Sequence, residues 1–427
     1  MNSRRDFLQL CGMAGLGVAA PISLMDAYAK PKDEPYGGPY YVVFNASGGW
    51  DTTYLMDPKG VNDINRLYKE GDILTQGNHL YAPTAKQVKT GMSNEDFYKE
   101  FGNELLVFNG LDYSVNNHSP GARYMATGKL DSLAYPTFAA LVAACQGSSC
   151  PISFLTFGNY SATGNLVAMS RVPYIHSLQK IANADAVEGN VRSQYHDRFA
   201  LDRIEATLRE QNQTRQTEPR LPRIEHAENM LYAAQDNSKA LERVTPYIPV
   251  KISKERLCQQ AEIALASFKA GVCVSANLTI GQFDSHANND RDQMVLIPEF
   301  LSGIAYLLRR AEELKIREQM VVIVQSEMGR TPNYNNGNGK DHWSIGSIMF
   351  LGKGIKGNRV IGATDEKQFL VPLDPKKLVC DKEKGIKVRP EHIHQSLREF
   401  AGIAEHANSK KFPLGVVESE KLQGLWG

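Results

Sequence analysis

The sequence predicts a three-layer α/β/α fold built on a mostly parallel central sheet. Strand-like apolar runs alternate with helical patterns along most of the chain. The apolar run Val272–Ile280, for example, precedes the helical spacing of Ile297–Ile316 and then the apolar run Val321–Val324. Alternation of this kind favours a parallel sheet covered by helices on both faces. The residues that follow a short leader, about 400 in number, fit one large α/β domain with insertions.

The first 29 residues have the three regions of a twin-arginine export signal. Arg4 and Arg5 lead into a weakly apolar stretch, Leu10–Met25, which closes on Ala27-Tyr28-Ala29. The alternative is an uncleaved membrane anchor, but a spanning helix needs about 20 strongly apolar residues, and this stretch contains three glycines and a proline. We therefore expect cleavage after Ala29 and export by the twin-arginine machinery. Residues 30–427 would then form a periplasmic or secreted domain without a stable membrane span.

The net charge bears on nucleic-acid binding, and the cysteine content bears on disulfide formation. The net charge is +1, and no basic field is present that would bind nucleic acid. Cys145 and Cys150 bracket a short loop in a chain bound for an oxidising compartment, which permits a local disulfide. Cys145 also ends the apolar stretch Phe138–Ala144, so burial alone would explain it. The sequence leaves these two alternatives open.

One stretch departs from the alternation of strands and helices. Polar residues dominate between residues 181 and 250. Within it, Arg192–Gln211 and Glu225–Leu241 have the spacing of two amphipathic helices, and Thr217–Pro222 joins them through prolines. We interpret the stretch as an inserted helical cap, with a surface excursion as the alternative.

Near the end of the chain, Pro390–Phe400 is predicted to be a helix opened by its proline.

Four of the predicted strands are each followed by polar side chains of the types that bind metal ions. Tyr40–Phe44 precedes Asp51, Glu104–Leu111 precedes His118 and Ser119, Gly271–Ile280 precedes Asp284 and His286, and Met320–Gln325 precedes Glu327, Asp341 and His342. Because the loops at the carboxyl ends of parallel strands converge on one crevice, we expect these segments to share a site. The sequence therefore predicts a metal-dependent active site.

Three of the candidate ligands come from two of these loops. Asp51 follows two glycines that let the backbone turn sharply, and its carboxylate suits a hard or borderline ion. The alternative is that Asp51 caps a helix beginning at Thr52. Asp284 and His286 alternate around Ser285, so an extended loop would direct both side chains towards one ion.

The other candidate ligands surround the last of the four strands. Glu327 lies where that strand ends, and the chain returns through the loop Asn333–Gly339 to Asp341 and His342. That loop is rich in asparagine and glycine and would let the imidazole of His342 fold back towards Glu327. The alternative for Glu327 is an ion pair with Arg330.

Ser119 is the candidate nucleophile. It precedes Pro120 and a predicted helix, Gly121–Thr127, so it is also explained as an ordinary N-cap with proline at the first helical position. In the functional interpretation, a neighbouring cation lowers the pKa of the hydroxyl, and the N–H groups of the helix attract a phosphate or sulfate group. Arg123, one turn later, would clamp the oxyanion. For His118, the roles of ligand, acid catalyst and loop residue all remain open.

Taken together, these segments resemble the DUF1501 family of exported proteins, which is placed in the alkaline phosphatase and sulfatase superfamily. Besides the leader, the motifs are Gly48-Gly49-Trp50-Asp51, Asn117-His118-Ser119-Pro120 through Ala126-Thr127-Gly128, Phe283-Asp284-Ser285-His286-Ala287, Ser326-Glu327-Met328-Gly329-Arg330-Thr331-Pro332 and Asp341-His342-Trp343. The resemblance covers nearly the whole chain. It implies an alkaline-phosphatase-like fold and an ester hydrolase that uses one or two divalent ions, with zinc, manganese, magnesium and calcium as candidates.

The resemblance also implies roles for single residues. Asp51 would be the first metal-binding aspartate, Ser119 the nucleophile, and Asp284 and His286 further ligands. At the position of a superfamily histidine stands Met328, so either His342 supplies the second imidazole or the site holds one ion.

The sulfatase motif is a cysteine or serine followed by x-Pro-x-Arg, and here the segment from Ser119 to Arg123 keeps the arginine spacing but moves the proline. Phosphate esters therefore rank above sulfate esters as substrates. The leading hypothesis is an exported metal-dependent hydrolase of small-molecule or polymer esters. The alternatives are a non-catalytic binding or assembly protein on the same fold, and a transferase or isomerase that passes phosphate between alcohols.

Overall fold

A computed structural model describes residues 35–183, 185–187, 190–216 and 240–427 of the chain. The leader predicted for residues 1–29 lies outside these residues. So does the predicted helix Glu225–Leu241, apart from its last two positions, which are helical. Among the described helices, none combines the length and the apolar character that a membrane crossing needs.

The described strands, in chain order, are β1 (Tyr40–Ala46), β2 (Leu74–Gln76), β3 (His79–Tyr81), β4 (Leu106–Asp112), β5 (Phe154–Thr156), β6 (Met169–Ser170), β7 (Ala186–Val187), β8 (Asn190–Gln194), β9 (Ser275–Ile280), β10 (Met320–Ser326), β11 (Gly329–Arg330), β12 (His342–Trp343), β13 (Ile345–Gly352), β14 (Arg359–Ile361), β15 (Ala363–Thr364), β16 (Leu370–Val371), β17 (Leu373–Asp374) and β18 (Val379–Cys380). The fully described α-helices are α1 (Asn94–Phe101), α2 (His118–Thr127), α3 (Phe138–Gln146), α4 (Ile175–Ala182), α5 (Arg198–Gln216), α6 (Arg256–Lys269), α7 (Asn289–Glu313), α8 (Pro390–Phe400) and α9 (Ala407–Lys410).

Eight strands form the central sheet, in the order β14-β4-β13-β10-β1-β9-β5-β6. Strand β1 is parallel to both β9 and β10. Strand β13 is antiparallel to β10 and also to β4, so β4 runs in the same direction as β10. The four strands that precede the candidate residues therefore all end at one edge of the sheet. This confirms the predicted, mostly parallel sheet.

The side chains of β1 alternate between two cores. Val42 and Phe44 pack in the core that contains α6 and α7. Tyr41 and Val43 pack in the other core, with α3 and α8. Every residue of β1 is buried, as expected for a central strand covered on both faces and rich in β-branched and aromatic side chains. The predicted three-layer α/β/α arrangement is confirmed.

Two predicted helices can be compared with the structure. The final helix spans Pro390–Phe400, with proline in its first turn as predicted. The helix predicted at Arg192–Gln211 instead spans Arg198–Gln216, because Asn190–Gln194 pairs with Ala186–Val187 as a hairpin. The interpretation of this stretch as a cap stays a prediction.

Cys145 and Cys150 are both free, half-buried thiols. Burial raises the pKa of each thiol to about 11. Cys145 lies in the last turn of α3, next to the apolar residues that cover the sheet. Of the two alternatives left open by the sequence, the structure contains the one without a disulfide.

His394 of α8 is a titratable side chain that lies outside the candidate site. Its side chain is buried beneath α2, and its Nε2–H donates to the Met125 carbonyl at 2.8 Å. Burial lowers the pKa of this imidazole to about 4. The unfolded chain therefore binds a proton at His394 at a higher pH than the folded chain does.

We expect this histidine to reduce the free energy of unfolding as the pH falls from 6.5 to about 4. Stability is lost over this window because the unfolded state binds more protons there, and the loss amounts to ~3 kcal/mol at most. Urea denaturation across the window, with wild type beside His394→Gln, measures the effect. Glutamine can still donate to the Met125 carbonyl but does not titrate, so its profile should be flatter. Equal slopes for the two proteins would contradict the prediction.

Candidate metal centre at the carboxyl edge of the sheet

The four predicted loops meet at one edge of the sheet. The hairpin of β11 and β12 pairs Gly329 with Trp343 and Arg330 with His342. This pairing returns His342 to the end of β10, as predicted for the loop that follows Glu327.

The turn after β1 requires glycine. Gly48 and Gly49 both have positive φ angles, 118° and 92°. A Cβ atom on Gly48 would lie 2.5 Å from the backbone nitrogen of Asp284, and one on Gly49 would lie 2.7 Å from the Met328 side chain. The glycine pair thus lets two site loops approach each other closely.

Three imidazoles and one carboxylate lie close together at this edge of the sheet. Ligand atoms of His118, Asp284 and His342 all lie within 4.8 Å of one another. His286 joins them, with its Nε2 3.0 Å from His342 Nε2 and 3.1 Å from Asp284 Oδ1. His118 Nε2 is 3.2 Å from Asp284 Oδ2, and His342 Nε2 is 3.2 Å from Asp284 Oδ1.

Each of the three imidazoles turns its Nδ1 outwards to an oxygen. The pairs are His118 Nδ1 with Glu327 Oε1 at 3.0 Å, His286 Nδ1 with Asp341 Oδ1 at 2.9 Å, and His342 Nδ1 with the Asn116 carbonyl oxygen at 2.8 Å. A carbonyl or carboxylate oxygen can only accept, so these partners assign the proton to Nδ1. In the neutral imidazoles, the Nε2 lone pairs therefore all face inwards. The same kind of outer partner orients metal-binding histidines in other proteins.

A divalent cation fits this arrangement. When both rings are neutral, the inward lone pairs of His286 and His342 face each other at 3.0 Å and both face a carboxylate oxygen, and a cation between them would relieve this repulsion. A second observation agrees, because Glu327 is buried beside His118 and its Oε2 has no hydrogen-bond partner among the described residues, so its negative charge favours a nearby cation. A set of three nitrogens and one carboxylate favours zinc over magnesium or calcium.

Arg330 holds the Asp284 carboxylate in place. Its guanidinium is fully buried and donates to the carbonyl oxygens of Gly48, Gly49 and Lys340. Its Nη2 also donates to Asp284 Oδ1 at 2.7 Å. Burial raises the pKa of Asp284, but the Arg330 bond and charge outweigh it and bring that pKa down to about 2. The alternative pairing of Arg330 with Glu327 is wrong, since Glu327 Oε1 instead accepts from the Gly48 N–H at 2.7 Å.

Asp51 lies outside the group of imidazoles. It is fully buried, and its Oδ2 accepts from Lys340 Nζ at 2.7 Å and from Asn289 Nδ2 at 3.0 Å. Its Oδ1 accepts from the N–H of Thr53 and caps the short 3₁₀ helix Thr52–Tyr54, as the capping alternative predicted. The ammonium of Lys340 thus already neutralises this carboxylate, and the role of Asp51 as a metal ligand stays a prediction.

Helix α2 carries the remaining candidates. The helix begins at His118 with Asn117 as its N-cap, so the predicted N-cap at Ser119 is wrong by two residues. Proline is tolerated at the third position because the first N–H groups of a helix have no partner within it. Ser119 is exposed and directly follows His118. Arg123 Nε donates to the Leu130 carbonyl at 2.8 Å, which directs the guanidinium to the far end of α2.

The sequence model of a family described as "Protein of unknown function (DUF1501)" matches residues 42–378. No curated protein matches the chain. Similar solved structures include the lipoteichoic acid synthase LtaP from Listeria monocytogenes, with 9% identity, a TM-score of 0.39 and coverage of 93% of this chain and 78% of that chain. The PsFucS1 sulfatase from Pseudoalteromonas sp. has 11% identity, a TM-score of 0.37 and coverage of 96% and 74%. A protein in the alkaline phosphatase superfamily from Vibrio parahaemolyticus has 9% identity, a TM-score of 0.37 and coverage of 94% and 76%.

Proposed function

The chain belongs to the DUF1501 family, and from its own side chains we propose that it is an exported, metal-dependent hydrolase of phosphate esters, with sulfate esters as less favoured substrates. The observation that carries the proposal is the convergence of three imidazole Nε2 atoms on the Asp284 carboxylate, each ring held by an oxygen at its Nδ1. The twin-arginine leader of residues 1–29 would deliver the domain to the periplasm or the medium.

The ion would be held by four side chains, which are His118, Asp284, His286 and His342. Glu327 and Asp341 would fix the orientation of two of the imidazoles through the bonds to Nδ1. A divalent ion held there supplies a Lewis acid that polarises a phosphoryl oxygen and stabilises the charge that develops on it. Asp51 would not contact this ion, because its carboxylate is paired with Lys340. The candidate ligands therefore support one ion per chain.

Ser119 is the proposed nucleophile. Its Oγ would form a bond to phosphorus as the bond from phosphorus to the leaving alcohol breaks, with solvent taking the hydroxyl proton and returning a proton to the alcohol. Water would then hydrolyse the serine ester. The serine follows His118 directly and lies in the first turn of α2, where free N–H groups favour an anionic phosphoryl group. Arg123 would assist only after its side chain releases the Leu130 carbonyl.

Replacement of Ser119 by alanine tests this proposal. We expect kcat/KM for p-nitrophenyl phosphate esters to fall at least ~1,000-fold in the zinc-loaded protein. The bound ion and the unfolding midpoint should stay at their wild-type values, because Ser119 is exposed and is not proposed to hold the ion. Ser148→Ala, an exposed serine in the loop after α3, is the matched control.

A Ser119→Ala protein with full activity would remove the nucleophile assignment. A wild-type protein that binds zinc but turns over neither phosphate nor sulfate esters would favour the second candidate, a non-catalytic binding protein on the same fold. One observation supports that candidate. Within the part of the chain that the structure describes, the hydroxyl of Ser119 has no hydrogen-bond partner that would act as a base.

A further inference from the structure

Carboxylates outnumber cations around the candidate metal centre. The charged side chains of the centre and of its buried support are Asp51, Asp284, Glu327, Asp341, Arg330 and Lys340. Both cations are fully buried and are bonded to carboxylates, Arg330 to Asp284 at 2.7 Å and Lys340 to Asp51 at 2.7 Å. Since imidazoles that bind a metal are neutral, four carboxylates and two cations leave a formal charge of −2.

The charged side chains around this set leave its formal charge of −2 unchanged. Asp290 and Arg66 both contact Tyr334, the first through the phenol at 2.6 Å and the second over the ring at 3.9 Å, and their charges cancel. Asp57 is neutralised by Lys59, whose Nζ lies 2.8 Å from Asp57 Oδ1. In the loops 47–57, 113–118, 281–289 and 327–343, Arg330 and Lys340 are the only lysine or arginine residues. Arg123 of α2 is left out of this balance because its Nε donates to the Leu130 carbonyl at 2.8 Å.

One divalent ion would bring the loaded centre to a formal charge of zero. Resting on the proposed function, we propose that the centre selects singly charged phosphate diesters over doubly charged phosphate monoesters. At a pH of about 8, a phosphate monoester carries close to two negative charges. Its second charge would meet no free cation in these loops and would be repelled by Glu327 and Asp341. A diester carries a single charge, which the ion balances.

Asn117 offers a position at which this charge balance can be changed. It is the N-cap of α2, next to His118 and Ser119, and it is exposed. Its side chain makes no cap hydrogen bond, so a substitution there removes no contact with the helix. Asn117→Lys adds one positive charge beside the centre, and Asn117→Gln is the neutral control of similar size.

The test measures binding rather than turnover. Phenyl phosphate and methyl phenyl phosphate, which differ in charge by one, are titrated calorimetrically at a pH of about 8 into zinc-loaded Ser119→Ala protein. We expect the diester to bind at least ~10-fold more tightly than the monoester. Adding Asn117→Lys should shift the ratio of the two dissociation constants towards the monoester by ~10-fold, and Asn117→Gln should leave it unchanged.

Tighter binding of the monoester would overturn the inference, while leaving the proposed hydrolase in place. An equal shift of the ratio by lysine and glutamine would also overturn it, because charge would then not decide the selection. If neither ester binds the loaded protein, the inference fails, and turnover by wild-type protein decides separately whether the proposed function fails with it.

Discussion

Replacement of His342 by alanine is expected to weaken binding of the divalent ion at least ~100-fold. Its Nε2 is one of the inward lone pairs, 3.0 Å from His286 Nε2 and 3.2 Å from Asp284 Oδ1. Loss of an outer partner of a metal-binding histidine typically weakens metal binding ~10-fold to 100-fold, and loss of the ligand itself should cost more. Competition of the purified protein with a chromophoric zinc chelator measures the affinity. Elemental analysis should give close to one ion per wild-type chain.

Two further variants test whether the loss of metal affinity is specific to the proposed ligand. Asp341→Asn keeps the His286 ligand but weakens the acceptor at its Nδ1, so a smaller loss of ~10-fold is expected. His176→Ala removes an exposed histidine that bonds Gln179 on α4, and it should bind zinc as wild type does. Wild-type affinity in His342→Ala would contradict the proposed centre. Two ions per wild-type chain would instead restore Asp51 as a candidate ligand.

Lys340→Met is expected to lower the free energy of unfolding by ~3–5 kcal/mol. Lys340 and Asp51 are both fully buried, and the Lys340 Nζ is 2.7 Å from Asp51 Oδ2. The ammonium also lies 5.6 Å from the ring centre of Tyr54 and 5.2 Å from that of Tyr334, within reach of cation–π attraction. Methionine fills much of the space but leaves the carboxylate buried without a countercharge. Urea denaturation of the metal-free proteins measures the change.

The double variant Asp51→Asn/Lys340→Met provides the matched control. It removes both charges together, so most of the lost stability should return, and the coupling between the two sites should exceed ~2 kcal/mol. Additive effects of the two single substitutions would show that the pair does not act as a unit. Zinc affinity should change little in the double variant if Asp51 does not contact the ion.

Much of the architecture follows from local pattern. The runs that became β1 and β10 are apolar on both faces, which permits only a central position in a covered sheet. Because β1, β4, β9 and β10 point the same way, polar residues just after them had to meet at one edge. The final helix was equally visible, since its proline suits a first turn.

Local pattern could not predict which charged side chains pair with each other. Arg330 is near Glu327 in sequence, yet it bonds Asp284, because the turn at Gly48 and Gly49 brings the β9 loop against it. Lys340 carries no local pattern, and only the return of the hairpin loop places its ammonium on Asp51. From the sequence, His118 could be a ligand, an acid catalyst or a loop residue. In the structure, the contact of its Nδ1 with Glu327 turns its Nε2 towards the other imidazoles.

The sequence by itself determined the layers, the mostly parallel sheet and the edge at which the candidate residues lie, because hydrophobic periodicity and the succession of strands and helices are visible in short segments. Only the tertiary structure decided which carboxylates receive a side-chain cation and which are left beside the imidazoles. Those partners are separated by up to 289 residues, as between Asp51 and Lys340. Their contacts depend on how loops from different strands pack, which no local pattern encodes.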